Sequence, residues 1–187
     1  MKRIVIGITG ASGVIYGIRL LEFIKDKLET HLIITPNAKE IITFETKYSI
    51  DSVEKLANYN YENSQLNAPI SSGSYETYGM IVIPCSIKSL SAIANSYSDS
   101  LLTRAADVIL KEKRKLILVV RETPLHIGHM KLMIRATELG AIILPPIPAF
   151  YHKPNTIDDL INHTIGKVFD ILGIDNSLFR RWEGPLK

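Results

Sequence analysis

A chain of 187 residues with 46% hydrophobic side chains is long enough for one well-filled core and short for two, so a single domain over residues 1–187 is expected. The net charge of +3 is slight, and the densest basic group, Lys111-Glu112-Lys113-Arg114-Lys115, has no interleaved aromatics, so it reads as a solvated helix end rather than a nucleic-acid patch. One cysteine excludes an internal disulfide, no apolar run nears the ~20 residues of a membrane span, and the N-terminus reads as a strand rather than a signal peptide; a cytoplasmic protein without membrane contact is expected.

Residues 4–8 form an apolar run that ends in Gly7-Ile8-Thr9-Gly10-Ala11-Ser12-Gly13, a glycine-rich turn. Val14, Ile15, Ile18, Leu21, Ile24 and Leu28 then recur at helical spacing. A second apolar run covers residues 31–34, and Pro36 opens a helix through Glu45, as proline in a first helical turn does. Residues 47–78 read as polar and irregular, and residues 80–83 as a third core strand closed by Pro84. Helices follow near residues 86–95 and 101–111, a strand at 116–120, a helix at 125–138 stopped by Gly140, a last strand at 141–144 and a closing helix at 158–172. This alternation predicts an α/β fold, a Rossmann-like doubly wound, mainly parallel sheet with helices on both faces.

Ligands of such sheets sit beyond the carboxyl ends of the strands. That rule selects Thr9 to Gly13, Thr35, the loop Cys85-Ser86-Ile87-Lys88-Ser89, Arg121-Glu122 and the segment 145–151, all rich in polar or special residues. A nicotinamide dinucleotide needs a carboxylate at the end of the second strand, and Leu32-Ile33-Ile34-Thr35-Pro36-Asn37 has none. A mononucleotide such as FMN does not need it, and Thr35 can bond to a flavin. Ser86 and Ser89 ahead of a helix suit either a plain cap or an anion site. Cys85 lacks a nearby His or Asn to activate it and reads as a packing residue. Arg104 and Lys111, seven apart on one helix, share a face, as phosphate ligands or as solubilising charges. Arg121 can grip phosphate and Glu122 can move protons, unless the two form a structural ion pair. His126 and His129 have no third ligand at a recognised spacing, so no metal is expected.

Taken together, these residues resemble the UbiX-type flavin prenyltransferases, part of the flavoprotein superfamily that also holds flavin-dependent cysteine decarboxylases. The resemblance runs nearly end to end, through Gly10-Ala11-Ser12, Glu45-Thr46, the segment 68–74, Pro84-Cys85-Ser86, Arg104-Ala105-Ala106-Asp107, Arg121-Glu122-Thr123-Pro124, Phe150-Tyr151-His152 and Arg181-Trp182. It implies transfer of a dimethylallyl group from dimethylallyl phosphate or diphosphate to N5 and C6 of reduced FMN, without metal, giving a prenylated cofactor for a UbiD-type decarboxylase. By position it assigns Gly10, Ala11, Ser12, Thr35, Ser86, Ile87, Lys88, Ser89 and Arg121 to FMN. Arg104, Lys111, Tyr151 and Lys167 fall to the prenyl phosphate, and Glu122, Ser12 and Glu45 to the chemistry, with Ser12 and Glu122 handling protons. It also implies a homo-oligomer of twelve subunits with sites at subunit junctions. Lys167 stands where some members have arginine, which keeps the charge and loses the planar fork. Two rivals stay open here, a flavin-dependent cysteine decarboxylase and a non-catalytic flavin carrier. The first lacks its expected His, since residues 67–84 contain none, and the second leaves Arg104, Lys111, Tyr151 and Lys167 without a purpose.

Overall fold

Continuous apolar runs, rather than alternating ones, mark strands buried on both faces. The computed structural model, which describes residues 1–184, has six strands. These are β1 (Arg3–Ile8), β2 (Glu29–Ile34), β3 (Tyr59–Tyr61), β4 (Gly79–Cys85), β5 (Lys115–Val120) and β6 (Ala141–Ile143), of which β1, β2, β4 and β5 are of this kind. They pair in parallel in the order β3-β2-β1-β4-β5-β6, so the sheet is wholly parallel and its winding reverses between β1 and β4. The helices are α1 (Val14–Ile24), α2 (Pro36–Glu45), α3 (Ile50–Glu54), α4 (Ile87–Ala94), α5 (Leu101–Lys111), α6 (Ile127–Glu138) and α7 (Ile157–Leu172).

Side chains alternate between the faces of a strand, and the two faces pack on different helices. Val5, Ile33, Met80, Val82, Leu116 and Leu118 share one cluster with Leu90 and Ile93 of α4 and Leu101, Leu102, Ala105 and Ile109 of α5. The alternate positions face α1, which comes so close that a Cβ on Gly17 would lie 2.5 Å from the Ile83 carbonyl and 2.9 Å from Ile8 Cγ1. Burying one such aliphatic side chain contributes about 2 kcal/mol, and Ile4, Ile6 and Ile8 are all wholly buried.

The chain forms two compact units, Met1–Pro145 and Pro146–Lys187. Three details depart from the expected elements. Residues 47–78 are not irregular throughout: they hold α3, β3 and a short 3-10 turn at Pro69–Ser71. The first helix stops at Ile24, where the Lys27 and Leu28 amides both turn back to the Ile24 carbonyl, instead of running to Leu28. β4 runs on through Pro84, which has no N–H to give the ladder, and the register to β5 shifts between Val82 and Cys85 before Cys85 meets Val120. No helix among the described residues is long and apolar enough to cross a membrane.

At the β3 edge, His31 is wholly buried. Its Nδ1 lies 3.0 Å from the Tyr61 hydroxyl and its Nε2 3.1 Å from Glu29 Oε1, while its ring stacks on Tyr59 at 4.9 Å. Burial pushes the imidazole below its ordinary value, against the pull of the Glu29 carboxylate. The folded chain therefore binds fewer protons here than the unfolded chain. The stability this gives is complete above the unfolded value of about 6.5 and is lost as pH falls through the lower folded value. Urea midpoints taken between about pH 7.5 and 5 should fall with pH, and His31→Phe should flatten that slope. An unchanged slope in the variant would remove His31 from the account. Gly17→Ala should lower stability by about 2 kcal/mol in the same assay, because the Ile83 carbonyl cannot retreat without breaking the strand; a stability equal to the parent chain would contradict the close packing of α1.

Candidate active site

The crevice of a doubly wound sheet opens where the strand order reverses, here between the loops that follow β1 and β4. Paired residues of those strands end at Gly7 and Val82, and beyond them Thr9 joins the two loops. Its buried hydroxyl donates to the Pro84 carbonyl at 2.7 Å and accepts the Ser86 amide at 2.8 Å. Gly10 then passes so near the start of α2 that a Cβ would lie 2.7 Å from Asn37 Cβ. Gly13, at φ +93°, takes the left-handed conformation that leads into α1. Its amide donates to Glu45 Oε2 at 2.8 Å, so the carboxylate at the end of α2 closes on the glycine loop beside Ser12. Thr35 continues from β2, its amide bonded to the Ile8 carbonyl at 3.0 Å and its hydroxyl capping α2 at Ala38.

On the other side, Ser86 caps α4 by accepting the Ser89 amide at 3.3 Å, and its hydroxyl donates to Ser89 Oγ at 3.2 Å. The amides of Ile87 and Lys88, in the first turn, have no carbonyl within the helix to bond. Cys85 is wholly buried and burial pushes its thiol up to about 12, which fits packing and not nucleophilic chemistry. After β5, the Arg121 amide bonds to the Cys85 carbonyl at 3.1 Å, which sets the exposed Arg121 and Glu122 at the rim of the same crevice. Glu122 Oε1 accepts the amide of Thr123 at 2.9 Å. The structure thus gathers Gly10, Ala11, Ser12, Thr35, Glu45, Ser86, Ile87, Lys88, Ser89, Arg121 and Glu122 around one end of the sheet. The glycine turn, the paired hydroxyls and the free amides suit a flavin mononucleotide.

Arg104 and Lys111 do share a face, and both reach the turn at residues 71–73. Arg104 Nε donates to the Ser71 carbonyl at 3.2 Å and Nη1 to Asp107 Oδ2 at 3.2 Å; Lys111 Nζ lies 2.6 Å from Glu112 Oε1. The Lys111 ammonium holds the Glu112 carboxyl below its usual range. However, α5 runs back along the sheet, and Lys111 ends it just before Lys115, which pairs with Gly79 at the start of β4. Within one chain, therefore, Lys111 lies at the far end of the sheet from Arg121. The spacing of the two cations along the helix was legible in the sequence; the end of the sheet they reach was not.

In the second unit the Tyr151 hydroxyl and His163 Nε2 share a hydrogen bond of 2.9 Å. The His163 ring is stacked on His152 at 5.0 Å and 6° and meets the edge of Phe179 at 4.7 Å. Trp182 stands edge-on to Tyr151 at 6.1 Å. Lys167 Nζ lies 3.5 Å from Asp170 Oδ2, and Arg181 clamps the same carboxylate through two hydrogen bonds of 2.7 Å. That clamp, ahead of the smaller pull of Lys167, holds the Asp170 carboxyl below its usual range. His163, the partner of Tyr151, was not singled out by the sequence for this place, and Thr9 was selected only as part of its loop. Thr9 lay inside the glycine motif, but only its partners on Pro84 and Ser86 reveal its part.

The Flavoprotein family model matches residues 1–168. A flavin prenyltransferase UbiX of Salmonella typhimurium is 54% identical over 98% of this chain and 100% of its own length. The UbiX of Methanocaldococcus jannaschii is 52% identical over 96% and 98%. Among solved structures, AnUbiX in complex with FMN and dimethylallyl pyrophosphate superposes with a TM-score of 0.97 at 44% identity, covering 99% of each chain. A dodecameric FMN-dependent UbiX-like decarboxylase from Escherichia coli O157:H7 gives 0.95 at 44%, covering 97% of this chain and 100% of that one. The peptidyl-cysteine decarboxylase EpiD, at 18% identity and a TM-score of 0.62, shares the fold alone. The chain belongs to the flavoprotein family and, within it, to the UbiX flavin prenyltransferases.

Proposed function

We propose that this chain transfers the dimethylallyl group of dimethylallyl phosphate or diphosphate to N5 and C6 of reduced FMN, without metal, and that its product passes to a UbiD-type decarboxylase in the cytoplasm. The observation that carries the reading is the cradle itself, two loops pinned by Thr9 at the point where the sheet reverses, with Glu45 and Glu122 at its rim. The match to AnUbiX, solved with FMN and dimethylallyl pyrophosphate, supports the substrate pair. The family model runs across the boundary between the two units, which supports their working as one flavoprotein domain over residues 1–187.

Reduced flavin supplies the nucleophilic ring positions. Gly10, Ala11, Ser12, Thr35, Ser86, Ile87, Lys88, Ser89 and Arg121 hold it. Arg104, Lys111, Tyr151 and Lys167 neutralise the phosphate as the carbon–oxygen bond breaks, and Trp182 or the flavin faces the allylic cation. Glu122 and Ser12 would take up the proton released at N5 and pass it to the departing phosphate. Ring closure at C6 would lose the C6 proton and add one to the alkene carbon, with no net change. Glu45 fixes the Gly13 amide and the loop that carries Ser12. Because Lys111 lies at the far end of its own sheet, we assign it and Arg104 to the cradle of a second copy. A dodecamer, the assembly of the Escherichia coli O157:H7 neighbour, supplies such copies. Exposed Phe44, Ile127, Ile134 and Phe150 give the chain apolar surface for those contacts.

Anaerobic incubation with reduced FMN and dimethylallyl monophosphate should add one dimethylallyl unit to the flavin mass. Glu122→Gln should slow this about a hundredfold while flavin binding persists, as losing one transition-state partner worth ~3 kcal/mol implies. An unchanged flavin mass with both the monophosphate and the diphosphate would sink the reading. Lys111→Ala should cost a similar factor, and co-expressing it with Glu122→Gln should restore activity, since mixed assemblies contain intact sites. No recovery in purified mixed assemblies would mean that the two residues serve one chain.

A further inference from the structure

We propose that His163 is a positioning residue whose Nε2–H donates to the Tyr151 oxygen, so that the single hydroxyl proton of Tyr151 is directed to the phosphate of the prenyl donor. This rests on the reading of Tyr151 as a ligand of that phosphate. A phenol carries one proton and can accept at its oxygen, so its hydrogen-bond partner decides what it offers to a third group. Were His163 to accept, Tyr151 would turn lone pairs toward an anion. With His163 donating at 2.9 Å, the proton is left for the phosphate.

The ring is held for this task. His163 is 8% exposed, stacked on His152 and flanked by Phe179, so Nε2 has a fixed direction. Burial, His152 and Lys167 push the imidazole below its ordinary value, with Asp170 opposing in part, so at neutral pH the ring is uncharged and carries one proton. Lys167 lies one turn along the same face of α7, at i+4 from His163. Arg181 takes both oxygens of the Asp170 carboxylate at 2.7 Å and leaves Lys167 only a 3.5 Å contact with Oδ2, which an anion shared with Tyr151 can displace.

The test uses the full-length enzyme with reduced FMN and dimethylallyl monophosphate. His163→Leu should raise the donor KM roughly tenfold, the scale of one lost hydrogen bond to a phosphate ligand, with FMN affinity unchanged. His163→Gln, whose Nε2 can donate from a similar place, should recover most of the loss. In a Tyr151→Phe background His163→Leu should add nothing. A parental donor KM in His163→Leu, or a loss that adds in full to that of Tyr151→Phe, overturns the proposal. A Tyr151→Phe enzyme with parental donor KM overturns the reading of Tyr151 and this proposal with it; an impaired Tyr151→Phe beside a normal His163→Leu overturns only the latter. Should His163→Leu fail to assemble, nitrogen NMR of the parental enzyme with ring-labelled histidine, assigned with His163→Gln, decides directly. A proton on Nε2 supports the proposal and a proton on Nδ1 overturns it.

Discussion

One hydroxyl holds the two halves of the cradle together. Where the β1–β4 ladder ends, the Pro84 carbonyl and the Ser86 amide are left without a strand partner, and Thr9 satisfies both from a wholly buried position. A buried polar group without a partner costs about 1–3 kcal/mol, so a valine of the same shape would fill the space but strand the Ser86 amide and leave the Pro84 carbonyl only the residue-9 backbone amide at 3.3 Å. The consequence reaches past stability. The glycine loop and the Ser86 cap are tied together by one residue, through its hydroxyl and its backbone amide, and the free amides of Ile87 and Lys88 are presented to the same crevice. Glu45 adds a second tie through Gly13, which leaves Ser12 on a loop anchored at both ends.

The cations assigned to the phosphate are held differently. Arg104 rests on Asp107, Lys111 on Glu112 and Lys167 on Asp170, each pair at least partly open to water. Ion pairs in such positions are worth about 0–1 kcal/mol. They orient the side chains without locking them, and an incoming phosphate, with more charge than a carboxylate, displaces the partner at little cost. Asp170 shows the arrangement most clearly, because Arg181 already satisfies both of its oxygens and its hold on Lys167 is a long 3.5 Å. On the proposed reading, then, the cradle is tied in place and the groups assigned to the phosphate are adjustable.

Much of this was legible in the sequence, for physical reasons that also mark where it ended. Buried parallel strands must be apolar on both faces, so β1, β2, β4 and β5 announced themselves, and Pro36 fixed the start of α2. β3 did not, because three residues with exposed Tyr59 and Asn60 show no pattern; it is a strand only by its pairing with residues 31–33 of β2. The glycine loop and Ser86 were readable as motifs. The hydroxyl of Thr9, the bond from Gly13 to Glu45 and the pairing of Tyr151 with His163 were not, since each joins residues whose nearness exists only in the fold. Likewise the seven-residue spacing of Arg104 and Lys111 defines a shared helix face but says nothing of which end of the sheet that helix returns to.

That return has a chemical consequence on the proposed reading. An allylic phosphate ionises once its leaving charge is neutralised, and a cation formed away from a nucleophile is lost to water. If one chain carried the full set of cations in its own reach, ionisation would need no flavin cradle nearby. Because α5 carries Lys111 to the far end of the sheet from Arg121, that reading has a complete set form only where the α5 of one copy meets the cradle of another. The groups that release the phosphate and the groups that hold the acceptor are then assembled together or not at all. Exclusion of water and completion of the electrostatic site become one event.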